Sequence, residues 1–254
     1  MRTWKLGELR YEEVREAGFE VAVLPLGATE PHNLHLPYAT DTLEVERIAD
    51  ESARRATEQG ARVVVLPALP YGTETNLSRF PLAMNLNPTT VAAVIRDLVG
   101  SLEASGIRKC LILNGHGGND LKWILRELYG KTSVHLFLSN WYTVGEDCYD
   151  ELFEDPGDHA GELETSMGLA YFADLVRLDR ADAGGTRPTR LEAVNRGWVT
   201  ITRPWHLLTT QSGAGDPRPA SAEKGRRLLD LVATRLARFL VELSEAELDE
   251  TFPF

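Results

Sequence analysis

Short apolar runs that stop at Gly, Pro or Asn alternate along this chain with longer amphipathic stretches, the pattern of β-α units around a mainly parallel sheet. The apolar runs predict strands at 21–26, 62–69, 109–113 and 133–139, each rich in Val, Ile or Leu as doubly covered strands are. Helical spacing of apolar positions predicts helices at 41–59, 88–105, 118–129, 162–173 and 220–245. Asp41 and Glu44 fit a D-x-x-E capping arrangement, and Pro88 after Asn87 sits where a first-turn proline is tolerated. Segment 181–216, rich in Gly, Thr, Pro and Arg, breaks all periodicity and reads as a long functional loop. The fold class that follows is α/β.

Composition narrows this picture. A chain of 254 residues can bury an ample core without disulfides, and is read as one domain spanning 1–254. Its charge of −11 repels phosphate backbones and anionic lipid, which argues against nucleic-acid and membrane partners. Cys110 and Cys148 are far apart and form no C-x-x-C pair, so neither a disulfide framework nor a thiolate metal knuckle is expected. With no apolar leader in the first twenty residues and no run of about 18 apolar residues, the expected location is the cytoplasm.

Chemistry-bearing residues gather where strands hand over to helices. Ligand crevices of open parallel sheets lie beyond the carboxyl ends of the strands, so residues distant in sequence can converge there. The first cluster, LPLGATEPHNLHLPYATD, offers Glu30, His32, His35 and Asp41 after the first strand. Mixed oxygen and imidazole ligands suit zinc, manganese or iron better than calcium or magnesium. The second, LILNGHGGND, presents His116 in a glycine turn, with Gly117, Gly118 and Asn119 available to a substrate. The third, DHAGELETS, places His159 and Glu164 around a helix start. Each residue also has a plain alternative: acids cap helices and enrich in first turns, histidines bond locally, and a glycine turn can hold phosphate.

Taken together, E-x-H-x-x-H-L-P-x-x-T-D over 30–41, N-G-H-G-G-N over 114–119 and H-A-G-x-x-E-T-S over 159–166 resemble the creatininase (creatinine amidohydrolase) family. A fourth stretch, G-D-P at 215–217 with A-E-K-G at 222–225, resembles that family's C-terminal element. The resemblance implies a three-layer α/β/α sandwich, two divalent ions per subunit (Zn, Mn or Fe), a small-molecule substrate and a homo-oligomer, a hexamer by likeness. It places Glu30 and His116 on one metal, His32 on the other, Asp41 between them and His35 behind. Creatininase proper has a glutamate where this chain has Gly118, and Glu164 is the residue expected to complete the second metal's shell. The implied reaction is hydrolysis of a cyclic amide, formamide or related carbonyl compound by a metal-bridging hydroxide, with His159 as proton donor and Glu164 as ligand or as orienter of His159. Trp141 is an expected aromatic wall, and Arg203, Trp205 and His206 are candidates for recognising a hydroxylated substrate. Ring opening of a keto-inositol or sugar-derived compound, and a metal-binding α/β protein without turnover, stand as alternatives.

Overall fold

The computed structural model describes residues 2–254. In chain order its strands and helices are α1 (Tyr11–Glu16), β1 (Val21–Leu26), α2 (Thr40–Glu58), β2 (Val63–Val65), α3 (Pro88–Ala104), β3 (Lys109–Asn114), α4 (Lys122–Leu128), β4 (His135–Asn140), α5 (Tyr149–Leu152), α6 (Glu162–Tyr171), α7 (Glu192–Asn195), α8 (Trp205–Leu208) and α9 (Ala222–Glu245). The strands form one parallel sheet in the order β2-β1-β3-β4. Strand alternation splits the core in two. Val21 and Val23 face Val45 and Ile48 of α2, Met167 of α6 and Leu228 and Val232 of α9. Ala22, Leu24 and Leu26 face Val91 and Ile95 of α3 and Ile124 of α4. A near-continuous apolar strand with helices on both faces is the three-layer α/β/α sandwich expected. No helix among the described residues is long and apolar enough to cross a membrane.

Two boundaries and one cap differ most from the sequence reading, each for a local reason. Strand β2 ends at Val65 because Pro67 and Pro70 bring no N–H to a ladder, although Leu69 still touches Leu26 through an isolated bridge. Helix α4 starts at Lys122 instead of 118, since the glycine turn closes first through Asn119 N–H donating to His116 O at 3.2 Å. The D-x-x-E capping arrangement is not formed. Ala39 is the N-cap of α2 and has no side-chain cap bond, while Asp41 and Glu44 turn inward and are buried. Segment 181–216 is mostly irregular, as expected, and holds only the single-turn helices α7 and α8.

The C-terminal motif seats α9 on α6, the helix that carries Glu164. Ser221 caps α9 by accepting Lys224 N–H, and the Lys224 ammonium pairs with the fully buried Glu162 of α6. The other Glu162 oxygen accepts the N–H groups of Glu154 and Asp155 at 2.8 and 3.1 Å. At Gly225 the backbones nearly touch: a Cβ there would stand 2.0 Å from Ser166 O. Gly225→Ala is therefore expected to cost about 1–3 kcal/mol in urea unfolding, as overpacking does. Gly100→Ala, on a stretch of α3 where a Cβ meets nothing within 4 Å, should be stabilising by up to about 1 kcal/mol. Equal effects of the two substitutions would contradict this packing account.

Candidate metal centre

The sheet order brings the first two motifs side by side. β1 and β3 are in register from Val21 opposite Lys109 to Leu26 opposite Asn114, so their outgoing loops leave the same edge together. Gly115 N–H donates to Leu26 O at 2.7 Å, and a Cβ on Gly115 would meet Asp41 O at 2.9 Å. The first loop turns at Asn33, whose φ of 55° is left-handed and whose amide bridges to the backbone of Asp182. That turn sends His32 inward and leads the chain into α2, where Asp41 occupies the first turn.

At the centre the Asp41 carboxylate lies between two imidazoles. His32 Nε2 stands 2.9 Å from Asp41 Oδ1, and His116 Nδ1 stands 2.9 Å from Asp41 Oδ2 and 3.0 Å from Glu30 Oε1. His32 Nδ1–H donates to Glu30 O at 3.1 Å, which fixes the ring and leaves Nε2 for the site. Glu164 shares the Asp41 and His32 side: the three offer ligand atoms within 4.8 Å of one another. One Glu164 oxygen is held by Ala160 N–H, an arrangement that puts Ala160 at a left-handed φ of 50°. His159 Nε2–H donates to Pro31 O at 2.9 Å, while its Nδ1 faces Glu30 Oε1 at 3.6 Å.

Such a concentration of buried carboxylates requires compensation. In the metal-free protein protons supply it. Burial pulls His32 down, but Asp41, Glu164 and Glu30 together raise its pKa to about 10. Burial likewise opposes a charge on His116, yet Glu30, Asp41 and Glu74 hold it well above the ordinary imidazole value. Asp41 answers in the opposite direction: burial alone would raise it, and the two histidines hold it below the usual carboxylate range. Burial pushes Glu164 up to about 7 and, with Glu164 nearby, pushes Glu44 well above the carboxylate range. His159 is lowered to about 3 by burial and by the charge of His32.

The donor set fits divalent cations. Glu30 Oε2, Asp41 Oδ2 and both oxygens of Glu74 complete no hydrogen bond among the described residues, although His116 is at ion-pair distance from the Asp41 and Glu74 carboxylates. Three overlapping groups could hold an ion: Glu30 with His32 and His159, Glu30 with Glu74 and His116, and His32 with Asp41 and Glu164. Glu30, Asp41, His116, His159 and Glu164 line a crevice, whereas His32 and Glu74 are fully buried and not on its wall.

The remaining expected residues fall in different places. A cavity of about 980 Å³ opens over the carboxylates and is lined by Gly117, Gly118, Trp141, His159, Arg203 and Trp205, among others. His35, bonded to Thr165 Oγ1 at 2.7 Å, and Asn119, bonded to Asn114 and Thr73, lie behind that wall, and His206 is not on it. Trp205 packs edge-on against His159, ring centres 4.9 Å apart, with Arg203 stacked over its other side. Glu74 and Glu44, both buried at the site, were not singled out from sequence. The signal for Glu74 was available, an acid in the Gly-Thr loop that follows a strand next to β1, whereas Glu44 was absorbed into the capping reading.

Comparison with known proteins identifies a family. The profile of the creatininase family, described as creatinine amidohydrolase, matches residues 7–240. A mycofactocin precursor peptide peptidase from Mycobacterium ulcerans is 29% identical, covering 85% of this chain and 84% of its own. Creatinine amidohydrolase from Pseudomonas putida is 31% identical over 70% of this chain and 73% of its own. The crystal structure of a protein described as a creatinine amidohydrolase from Bacteroides fragilis superposes with a TM-score of 0.92 at 36% identity, covering 98% of this chain and all of that one.

Because imidazolium protons occupy the positions a cation would take, metal uptake must displace them. Zinc titration near pH 7, run in buffers of different ionisation enthalpy, should show net proton release, and affinity should fall by about tenfold for each unit the pH is lowered and each proton displaced. An affinity independent of pH between 6 and 8, roughly the range spanning the ordinary histidine pKa, would show that His32 and His116 do not carry these protons.

Proposed function

The chain belongs to the creatininase family and is a hydrolase of its metal-dependent amidohydrolase type, and on that premise we propose the following reading of its site. Glu30, Asp41 and His116 hold one divalent ion, and His32, Asp41 and Glu164 hold a second. The substrate is a small cyclic amide, formamide or related carbonyl compound. The observation that carries the reading is Asp41, whose two oxygens face two different imidazoles with a further carboxylate on each flank. Zinc, manganese and iron suit this mixture of imidazole and carboxylate. When bound, such ions supply a water acidified toward neutrality and a polarised substrate carbonyl.

The chain's own residues supply the rest. His159 is neutral, and its single N–H is committed to Pro31 O, so the Nδ1 lone pair is what it offers the crevice. Once His32 gives up the proton whose charge depresses it, His159 would act first as an acceptor: its Nδ1 would take the proton released when water attacks the carbonyl and return it to the leaving nitrogen. Ala160 N–H fixes one Glu164 oxygen and leaves the other for an ion, which favours Glu164 as a ligand over an orienter of His159. Trp141 and Trp205 wall the cavity, and the Nε1–H of each is buried without a partner. The exposed apolar side chains Leu191, Trp198, Val199 and Leu207 support the homo-oligomer expected by likeness, and a monomer in sedimentation velocity would reject it.

The cavity volume also favours a second reading, a peptide end as substrate, the kind of molecule named for the mycobacterial relative. Chelation should abolish hydrolysis on a panel of cyclic amides, formamides, short peptides and lactones, and zinc, manganese or iron should restore it. His159→Ala should keep its metal and lose about 10²–10⁴-fold in turnover, the usual worth of a general base. Undiminished hydrolysis by the metal-free protein would reject the mechanism.

A further inference from the structure

Glu74 comes from the loop after β2, outside the three motifs, and is fully buried. Its Oε1 lies 3.1 Å from His116 Nε2, the ring edge opposite the Nδ1 that faces Glu30 and Asp41. Thr73 O, 3.2 Å from the same Nε2, already accepts its N–H. A carbonyl alone would suffice to set the tautomer. It does not explain a carboxylate whose two oxygens complete no hydrogen bond and whose burial is unfavourable without a positive partner.

The surroundings are arranged to hold that carboxylate there. Glu74 N–H donates to Asn85 Oδ1 at 2.8 Å, Thr73 N–H donates to Asn119 Oδ1 at 3.0 Å, and Leu86 N–H donates to Gly72 O at 2.7 Å. The loop is thus pinned to the second motif on one side and to the segment before α3 on the other. Gly118 keeps the ring edge open: a Cβ at this position would fall 2.3 Å from His116 Nε2 and 2.5 Å from Thr73 O. From these contacts we propose that Glu74 is a positioning residue for His116, a carboxylate behind the imidazole that holds Nδ1 toward the first ion and strengthens it as a ligand. Outer carboxylates of this kind are worth about 10–100-fold in metal affinity.

The inference rests on the two-ion reading above, and the test separates the two. Wild type, Glu74→Gln and Glu74→Ala are titrated with zinc against a chromophoric chelator and with cobalt(II) followed by its visible spectrum, and His32→Ala identifies which binding step belongs to the second ion. Thermal unfolding of each metal-free variant confirms the fold, with Glu74→Gln nearly isosteric should the alanine variant unfold. The expected result is a first step weakened about 10–100-fold in both variants, a shifted cobalt spectrum for that ion and an unchanged second step. A general structural role would weaken both steps alike and would overturn the proposal, as would an unchanged first step. Complete loss of the first step would make Glu74 a ligand and also overturn the positioning role. Wild-type protein that takes up no metal would refute the two-ion reading itself, a result the variants cannot mimic.

Discussion

One carboxylate, that of Asp41, sits in the interior with an imidazole against each oxygen, and most of what surrounds it follows from the cost of putting it there. A buried anion must be matched by positive charge. Two protonated histidines serve in the metal-free protein, and two cations would serve better because they would also favour ionisation of Glu30 and Glu164, whose carboxyls burial pushes up. The same residues that make the site expensive as a folded core make it a strong cation trap. In such a centre the metal-free state is held by protons, so proton and metal occupancy are linked by construction.

The scaffold's task is to bring four chain segments to that carboxylate without slack. Parallel register delivers the loops after β1 and β3 to one edge, and glycines at 27 and 115 let the loops press against the start of α2, where a Cβ would meet Thr42 or Asp41 within 3 Å. The third segment is fixed differently. Asp158 and His159 N–H both donate to Ala214 O, and Ala214 N–H returns a bond to His159 O, so the residue leading into the G-D-P element clamps the backbone of His159. The Lys224–Glu162 pair and the close approach at Gly225 then lock the helix that carries Glu164. The C-terminal motif therefore contributes support to the site and no ligand.

How legible this was varies with the kind of signal. The strand at 21–26 and the helices at 41–59 and 88–105 were readable to within a residue, because uninterrupted apolar runs and 3.6-residue spacing report burial directly. Glu30, His32, Asp41 and His116 were identifiable as a set because their residue types are unusual together after strand ends, and the structure brings them within contact of one another. Asp41 and Glu44 were also read as a cap, since a first-turn acid looks the same in sequence whether it faces the helix end or the interior. Glu74 offers only a weak signal, an acid in the Gly-Thr loop after a strand, and its burial and its distance to His116 are what give it weight. Trp141 and Trp205 belong to the same class: sequence shows an aromatic residue, and only the fold shows that it walls a cavity with its Nε1–H buried.

If Asp41 is shared by two metal ions, anomalous diffraction from a crystal of the zinc-loaded protein will show two strong peaks flanking the Asp41 carboxylate, one also bound by Glu30 and His116 and the other by His32 and Glu164. A single peak on one side of Asp41 at saturating zinc, or peaks that leave Asp41 uncoordinated, would contradict it.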